Sequence, residues 1–154
     1  MNLPPADERY FEDYRAGTSY EFGSVTVSER EIIEFARQYD AQPFHVDPVA
    51  AVAGPFGGIV ASGWHTLGLM MRLFVEHYLP VAASLGSPGV DEVRWLQPVR
   101  PGDSLRLRVT VLDARPSTSK PDRGIVRTGV EMFNQSGELV LTLSAVNLIA
   151  RRQQ

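Results

Sequence analysis

Apolar residues recur at helical spacing in the first half of the chain and predict two helices. The first stripe comprises four residues: Ile32, Phe35, Ala36 and Tyr39. Their spacing gives residues 29–39 one apolar face, as in an amphipathic helix. Ser28 and Glu31 have the arrangement of a capping box, which predicts that the helix begins there. Pro43 prevents its continuation.

A second helix is expected after residues 54–58, which are rich in glycine and proline. Ser62 is suited to the N-cap, and the apolar pattern runs to about Leu79, just before Pro80. Apolar side chains occupy nearly the whole circumference: Leu67, Leu69, Met70, Met71, Leu73, Phe74, Val75 and Tyr78. Such a helix must be covered by protein on several faces, and about 18 residues would make it roughly 27 Å long. We therefore expect a central helix wrapped by a sheet.

The remainder of the chain alternates apolar and polar residues with the period of two that marks strands with one dry face. Five strands are expected, over residues 20–27, 90–96, 105–111, 126–132 and 139–149. Turn-forming residues at 134–137 join the last two strands as a hairpin. Consecutive strands without intervening helices are antiparallel neighbours. The fold class is therefore α+β, and a doubly wound parallel sheet is excluded.

Length and composition fit one globular domain spanning residues 1–154. The chain has 44% hydrophobic and 21% charged residues, no cysteine and a net charge of −3. These values favour a folded protein of a reducing compartment, without general affinity for nucleic acid. The N-terminus lacks the pattern of a signal peptide, and His65, Arg72 and Glu76 interrupt the longest apolar stretch. We expect a cytoplasmic protein that does not enter membranes.

Basic residues are concentrated in one part of the chain. Eight basic and three acidic residues lie from Arg94 to Arg127. Basic side chains on the wet face of strands explain this distribution. The alternative is a docking surface for a phosphorylated ligand.

Asp40 and His45 bracket a short loop and are the strongest candidates for chemistry. Pro43 lies between them and forces a turn that could bring the carboxylate and the imidazole together. Such a pair can hold and polarise a water molecule and act as general acid and base. The structural alternative is a turn aspartate and a hydrogen-bonded loop histidine. We interpret Asp47, before Pro48, as the N-cap of a short helical turn.

The start of the second helix is a candidate oxyanion site. The first N–H groups of a helix lack intrahelical partners, and Gly63 would leave them open to a ligand oxygen. The alternative is a normally capped helix whose Gly63 allows close packing against the sheet. His65 is interpreted as a packing or hydrogen-bonding residue. The three histidines lack the spacing of metal ligands, and no serine has the pattern of a nucleophile elbow.

These motifs resemble the MaoC-like dehydratases, which include R-specific enoyl-CoA hydratases of the hot-dog fold. The similarity rests on Asp40, Pro43, His45, Asp47, Phe56, Gly57, Ile59 and Gly63, and on the later residues 98–103. It covers most of residues 10–149 and implies a curved antiparallel sheet wrapped around a long central helix. Two positions depart from the usual motif, since Gln42 stands where asparagine is common and Ser62 where histidine is common. These departures bear on substrate choice.

The resemblance implies addition of water to a trans-2-enoyl thioester, or the reverse dehydration. Asp40 and His45 would bind the catalytic water, and the Gly63 N–H would hold the thioester oxygen as it gains enolate charge. Gln42, Ser62 and Trp64 would lie at the substrate. No metal or redox cofactor is implied. The expected partners are an acyl thioester of coenzyme A or acyl carrier protein, and further copies of the chain in a homodimer or higher homo-oligomer.

Two other functions remain open from the sequence. A hot-dog acyl-CoA thioesterase would use a carboxylate to activate water against the thioester carbonyl. A non-catalytic acyl-thioester binding protein could share the same fold, because fold alone does not fix function.

Overall fold

The computed structural model of the protein describes residues 2–153, which form one antiparallel sheet and a set of helices. After a 3-10 turn, Phe11–Asp13, strand β1 (Ser19–Thr26) leads into helix α1 (Glu29–Tyr39). Two short helices follow, α2 (Pro43–Val46) and α3 (Pro48–Ala53), and then the long helix α4 (Gly63–His77). The remaining strands are β2 (Gly89–Trp95), β3 (Ser104–Pro116), β4 (Arg123–Phe133) and β5 (Leu139–Ala150).

The five strands form one sheet in the order β1-β3-β4-β5-β2, with every pair antiparallel. Strands β1 and β2 are therefore the edges. Alternate residues of β3, β4 and β5 are buried beneath the helices, as the period of two predicts. Among them Leu105, Leu107 and Val109 are fully buried. The α+β class and the antiparallel arrangement expected from the sequence are confirmed.

Local signals at the helix starts are confirmed as well. Ser28 and Glu31 form the capping box of α1. Asp47 caps α3 by accepting from the N–H groups of Val49 and Ala50. The Ser62 side chain caps α4 by accepting from the Trp64 N–H.

Helix α4 differs from the expectation in its length and its coverage. It has 15 residues, about 22 Å at the rise of an α-helix, and it ends at His77 rather than near Leu79. The Arg9 guanidinium donates to the carbonyls of His77 and Tyr78, which satisfies acceptors that a helix end leaves free. This contact joins residues 68 positions apart and has no local sequence signal.

One face of α4 is not covered within the chain. Leu69, Leu73 and Phe74 are buried against the sheet, whereas Met71 and Val75 are 43% and 51% exposed. The expectation that protein surrounds the helix is therefore met on the sheet side only. Within residues 2–153, no helix has both the length and the apolar character needed to cross a membrane.

Candidate active site

A buried extended segment, residues 59–62, connects the parts of the site. Its Val60 N–H donates to the Phe44 carbonyl at 3.1 Å, which ties it to α2. The Ala61 N–H donates to the Val99 carbonyl at 2.8 Å, which ties it to the link between β2 and β3. Buried backbone groups must be paired, and these bonds pair them without regular secondary structure. The segment thus fixes the start of α4 relative to α2 and the sheet.

Asp40 terminates α1, and its carboxylate is held by two neutral donors. The Gln42 side-chain amide donates to Oδ1 at 2.7 Å. The Ser62 hydroxyl donates to Oδ2 at 2.7 Å, from a position 22 residues later in the chain. Both donors lie at hydrogen-bond distance from the two oxygens, so the carboxylate has little freedom to rotate.

His45 lies on α2 with its ring facing the same carboxylate. Its Nε2 is 3.3 Å from Asp40 Oδ2, and its Nδ1 is 2.6 Å from the Val60 carbonyl oxygen. Since a carbonyl only accepts, Nδ1 must carry a hydrogen. In the neutral ring Nε2 is therefore an acceptor beside an acceptor carboxylate. A water molecule at this point could donate one hydrogen to each of the two groups.

The surroundings of Asp40 favour its ionised form. Partial burial raises the pKa of this carboxyl, but the hydrogen bonds from Gln42 and Ser62, together with the charge of His45, outweigh burial and hold the pKa below its usual range. Hydrogen bonds to a charged group contribute about 1.5–3 kcal/mol each. Asp40 is thus an acceptor at neutral pH, as a general base must be.

A cavity of about 460 Å³ opens in front of this pair. Four of the predicted site residues line it together with His45: Asp40, Gln42, Gly63 and Trp64. Its walls also include Phe44, Phe56, Thr66, Trp95, Leu96 and Val99. Ser62 is fully buried and bonds to Asp40, and it is not among the described residues that line the cavity. His65 stacks on Phe35 at 4.7 Å between ring centres, which matches its interpretation as a packing residue.

Trp95 is the site residue that the sequence analysis missed. Its indole Nε1 donates to the Gly63 carbonyl at 2.9 Å. A Cβ at Gly63 would lie 2.6–3.0 Å from three atoms of the same indole. The glycine is therefore required by close packing between α4 and β2, while its N–H, the first of the helix, keeps no intrahelical acceptor. The sequence signal for the contact between Trp95 and Gly63 is limited to the glycine at the first position of α4.

The basic residues from Arg94 to Arg127 form mostly a solvated face. Five of the eight have acidic partners within 4.0 Å: Arg106, Arg108, Arg115, Arg123 and Arg127. Arg100 contacts the cavity wall, since its guanidinium donates to the carbonyl of the lining residue Phe56 at 2.8 Å. Among the described residues no group of His, Asp and Glu side chains is arranged to hold a metal ion.

Comparison with known proteins places the chain in a family. Its fold is the hot-dog fold, which a solved Mycobacterium tuberculosis protein with a TM-score of 0.77 and 16% identity shares over 95% of this chain and 45% of its own. The crystal structure of a MaoC-like dehydratase from Rhodospirillum rubrum matches with a TM-score of 0.87 and 40% identity, over 95% of this chain and 99% of that one.

Sequence comparisons identify the family more specifically than the fold does. The profile of the MaoC-like domain matches residues 12–132. A relative from Mycobacterium tuberculosis, 3-hydroxyacyl-thioester dehydratase Z, is 31% identical over 128 residues, which are 82% of this chain and 85% of the relative. The chain therefore belongs to the MaoC-like dehydratase family, whose members include hydratases and dehydratases.

The contact between Gly63 and Trp95 gives a first prediction. Gly63→Ala should destabilise the protein by about 1–3 kcal/mol, the usual cost of overpacking, because the new methyl group meets the indole. In a Trp95→Leu background the same change should cost clearly less, since the smaller side chain leaves room. Urea unfolding of the four proteins measures this difference. Equal costs in both backgrounds would show that another contact requires the glycine.

Proposed function

We propose that this protein is an enoyl-thioester hydratase or dehydratase that uses Asp40 and His45 as its acid–base pair. The observation that carries the proposal is the 3.3 Å approach of His45 Nε2 to Asp40 Oδ2 at the wall of a cavity that also exposes the start of α4. Membership of the MaoC-like dehydratase family supports the same reaction class.

In the hydration direction the pair binds one water by its two hydrogens. The lone pairs of the water oxygen then face the β-carbon of a trans-2-enoyl thioester. As the new C–O bond forms, the water gives a proton to the pair, and electron density moves to the thioester oxygen. The pair delivers a proton to the α-carbon on the same face, so that water is added overall. Dehydration follows these steps in reverse.

Gly63 would stabilise the intermediate charge. The thioester oxygen becomes enolate-like while the β-carbon is attacked, and the Gly63 N–H is the free first donor of α4. Removal of one donor of this kind costs about 2.7–4 kcal/mol in characterised enzymes. We assign Gln42 and Ser62 to the positioning of Asp40, and Trp64 to the wall along the substrate. The mechanism uses no cofactor.

The substrate carrier is coenzyme A or acyl carrier protein. Relatives carry the names 3-hydroxyacyl-thioester dehydratase and mesaconyl-CoA hydratase; the latter, from Cereibacter sphaeroides, is 29% identical over 94% of this chain and 42% of its own length. Arg100 is the basic residue best placed to meet a phosphate, since it adjoins Val99 of the cavity wall. A cytoplasmic location and a role in acyl-chain metabolism are consistent with such a substrate.

Substitution of the pair tests the reaction. Asp40→Asn and His45→Ala should each lower turnover of crotonyl-CoA by at least about 100-fold, because general acid–base catalysis contributes about 10²- to 10⁴-fold. Loss of enoyl absorbance measures hydration, and a thiol reagent in a parallel reaction detects thioester cleavage. Circular dichroism controls for folding.

The other outcomes discriminate between the remaining functions. An unchanged hydration rate in either variant would contradict the assignment of the pair. Release of free thiol by the unsubstituted protein would identify a thioesterase. Tight binding of enoyl-CoA without turnover of any chain length would identify a binding protein.

The cavity also predicts the charge of the acyl chain. Among the described residues that line it, Asp40 and His45 are the ionisable ones, and none is a lysine or arginine. A carboxylate at the end of the acyl chain would lie near Asp40 without a cation to pair with, and like charges brought together cost several kcal/mol. We therefore propose that the substrate has an uncharged acyl chain.

A matched pair of substrates measures this preference. Crotonyl-CoA and fumaryl-CoA differ at the end of the chain, where a methyl group is replaced by a carboxylate. Hydration of crotonyl-CoA should show a kcat/KM at least about 100-fold higher, equivalent to 2.7 kcal/mol. Equal values, or a preference for fumaryl-CoA, would contradict an uncharged acyl chain while leaving the reaction class intact.

We further propose that a second copy of the chain covers the exposed face of α4. Trp64, Met71 and Val75 lie along this face and are 63%, 43% and 51% exposed. The Trp64 ring is 5.9 Å from the ring of Trp95 on β2, so the apolar surface continues to an edge strand with free backbone hydrogen-bonding groups. Antiparallel pairing of the β2 strands of two copies would bond the free backbone groups of each strand. The same two-fold interface would cover the apolar face of α4 in each copy.

Light scattering tests the dimer. The unsubstituted protein should have twice the mass of one chain. Met71→Asp with Val75→Asp should yield a monomer, because two charges from each copy would be buried in the interface. Leu112→Asp is the matched control, since it puts a charge in place of an apolar β3 side chain that is 53% exposed and should leave the mass unchanged. A monomeric unsubstituted protein would contradict the proposal.

A further inference from the structure

We propose that Trp95 is a positioning residue that fixes the carboxylate of Asp40 through the Gly63–Trp64 peptide group and the Ser62 hydroxyl. The inference rests on the proposed function for its kinetic consequences, but the geometry it describes is measurable without substrate. It assigns a catalytic task to a side chain on β2, an edge strand that contributes neither member of the acid–base pair.

The hydrogen bonds form one continuous chain. The Trp95 indole donates to the Gly63 carbonyl at 2.9 Å. The N–H on the other side of that same peptide group belongs to Trp64 and donates to Ser62 Oγ at 3.2 Å. The Ser62 hydroxyl then donates to Asp40 Oδ2 at 2.7 Å.

Every donor in this chain points towards the carboxylate. A hydrogen bond to a peptide carbonyl polarises the peptide and makes its N–H a stronger donor, and aligned bonds strengthen one another by roughly 10–30% each. The Ser62 hydroxyl has its oxygen occupied by the Trp64 N–H, so its hydrogen is directed to Asp40. Loss of the indole N–H should therefore weaken the bond between Ser62 and Asp40 although neither residue is changed.

Packing fixes the indole in this position. Its Cε2, Nε1 and Cζ2 atoms occupy the space that a side chain at residue 63 would need. The glycine therefore allows the indole to reach the carbonyl. The Gly63 N–H belongs to the same residue as the carbonyl that the indole binds. Trp95 therefore also orients the donor that is proposed for the thioester oxygen.

Trp95→Phe removes the N–H donor and keeps an aromatic ring. Among the described residues, the charged and hydrogen-bonding groups that face Asp40 are Gln42, Ser62 and His45, and His45 is the ionisable one. With a weaker Ser62 bond the ionised form of Asp40 is less stabilised, and the pKa of this carboxyl should rise by about 0.1–0.7 unit. Carboxyl ¹³C NMR measures this pKa, with Asp40→Asn used to assign the resonance.

Two further variants separate positioning from general loosening. Ser62→Ala should raise the pKa of Asp40 at least as much as Trp95→Phe. The double variant should show no further rise, because Trp95 acts through Ser62. Additive shifts, or an unchanged pKa in Trp95→Phe, would overturn the inference. Tyr20→Phe removes one polar group from an aromatic side chain on the opposite edge strand β1 and should leave the pKa of Asp40 unchanged.

Kinetics give the corresponding result if the protein is a hydratase. Trp95→Phe should lower kcat by about 3- to 10-fold with little change in KM, since positioning affects the reacting pair more than binding. The acid limb of the kcat/KM profile should move to higher pH, because Asp40 is active when ionised and now protonates at a higher pH. An unsubstituted protein without turnover would contradict the proposed function alone, because the NMR titration still decides the role of Trp95.

The unsubstituted protein offers a test that does not depend on folding of a variant. The chain has two tryptophans, so its ¹H–¹⁵N spectrum contains two indole resonances, assigned with Trp64→Phe. The indole N–H of Trp95 should exchange with solvent at least about 10-fold more slowly than that of free tryptophan, because a hydrogen bond must open first. Exchange as fast as in free tryptophan would show that the bond to Gly63 is not maintained and would overturn the inference.

Discussion

The site depends on the backbone pairing of one buried extended segment, residues 59–62. This segment has neighbours on both sides but belongs to no helix or strand, so its polar groups require partners from elsewhere. Helix α2, which carries His45, supplies one set of partners, since the Phe44 carbonyl accepts from Val60 and the Val60 carbonyl accepts from the imidazole. The link after β2 supplies the other through the Val99 carbonyl. A shift of this segment would therefore displace the base, the imidazole and the start of α4 together.

The chemistry of Asp40 and His45 follows from what surrounds them more than from their residue types. The Val60 carbonyl fixes which nitrogen of His45 carries hydrogen, and this leaves an acceptor facing the carboxylate. Gln42 and Ser62 hold the pKa of Asp40 below its usual range against the effect of burial. Two acceptors 3.3 Å apart repel each other unless a hydrogen-bond donor is shared between them. In the proposed reaction, a water molecule would be this donor and would be polarised by the pair.

Features of the fold that rest on near neighbours could be predicted from the sequence. The capping box at Ser28, the cap at Asp47 and the alternation in β3 each involve residues a few positions apart. The close approach of His45 to Asp40 could also be predicted from the sequence, because Pro43 forces a turn within the intervening residues. The end of α4 could not be predicted, because the Arg9 guanidinium binds the His77 carbonyl from 68 positions away. The hydrogen bond from Trp95 to Gly63 could not be predicted either, because it joins residues 32 positions apart and Trp95 lies on an edge strand without a distinctive sequence pattern.

The two departures from the usual motif of the family acquire a common physical meaning in this geometry. Gln42 and Ser62 bind different oxygens of the same carboxylate, at 2.7 Å in both cases. The longer amide still reaches Oδ1 because α1 ends at Asp40 and the chain turns before Pro43. The serine reaches Oδ2 because the cap of α4 lies directly behind it. The hydroxyl at this position supplies a neutral hydrogen-bond donor and adds no further ionisable group beside the pair. The altered residues therefore preserve the donors that the carboxylate needs.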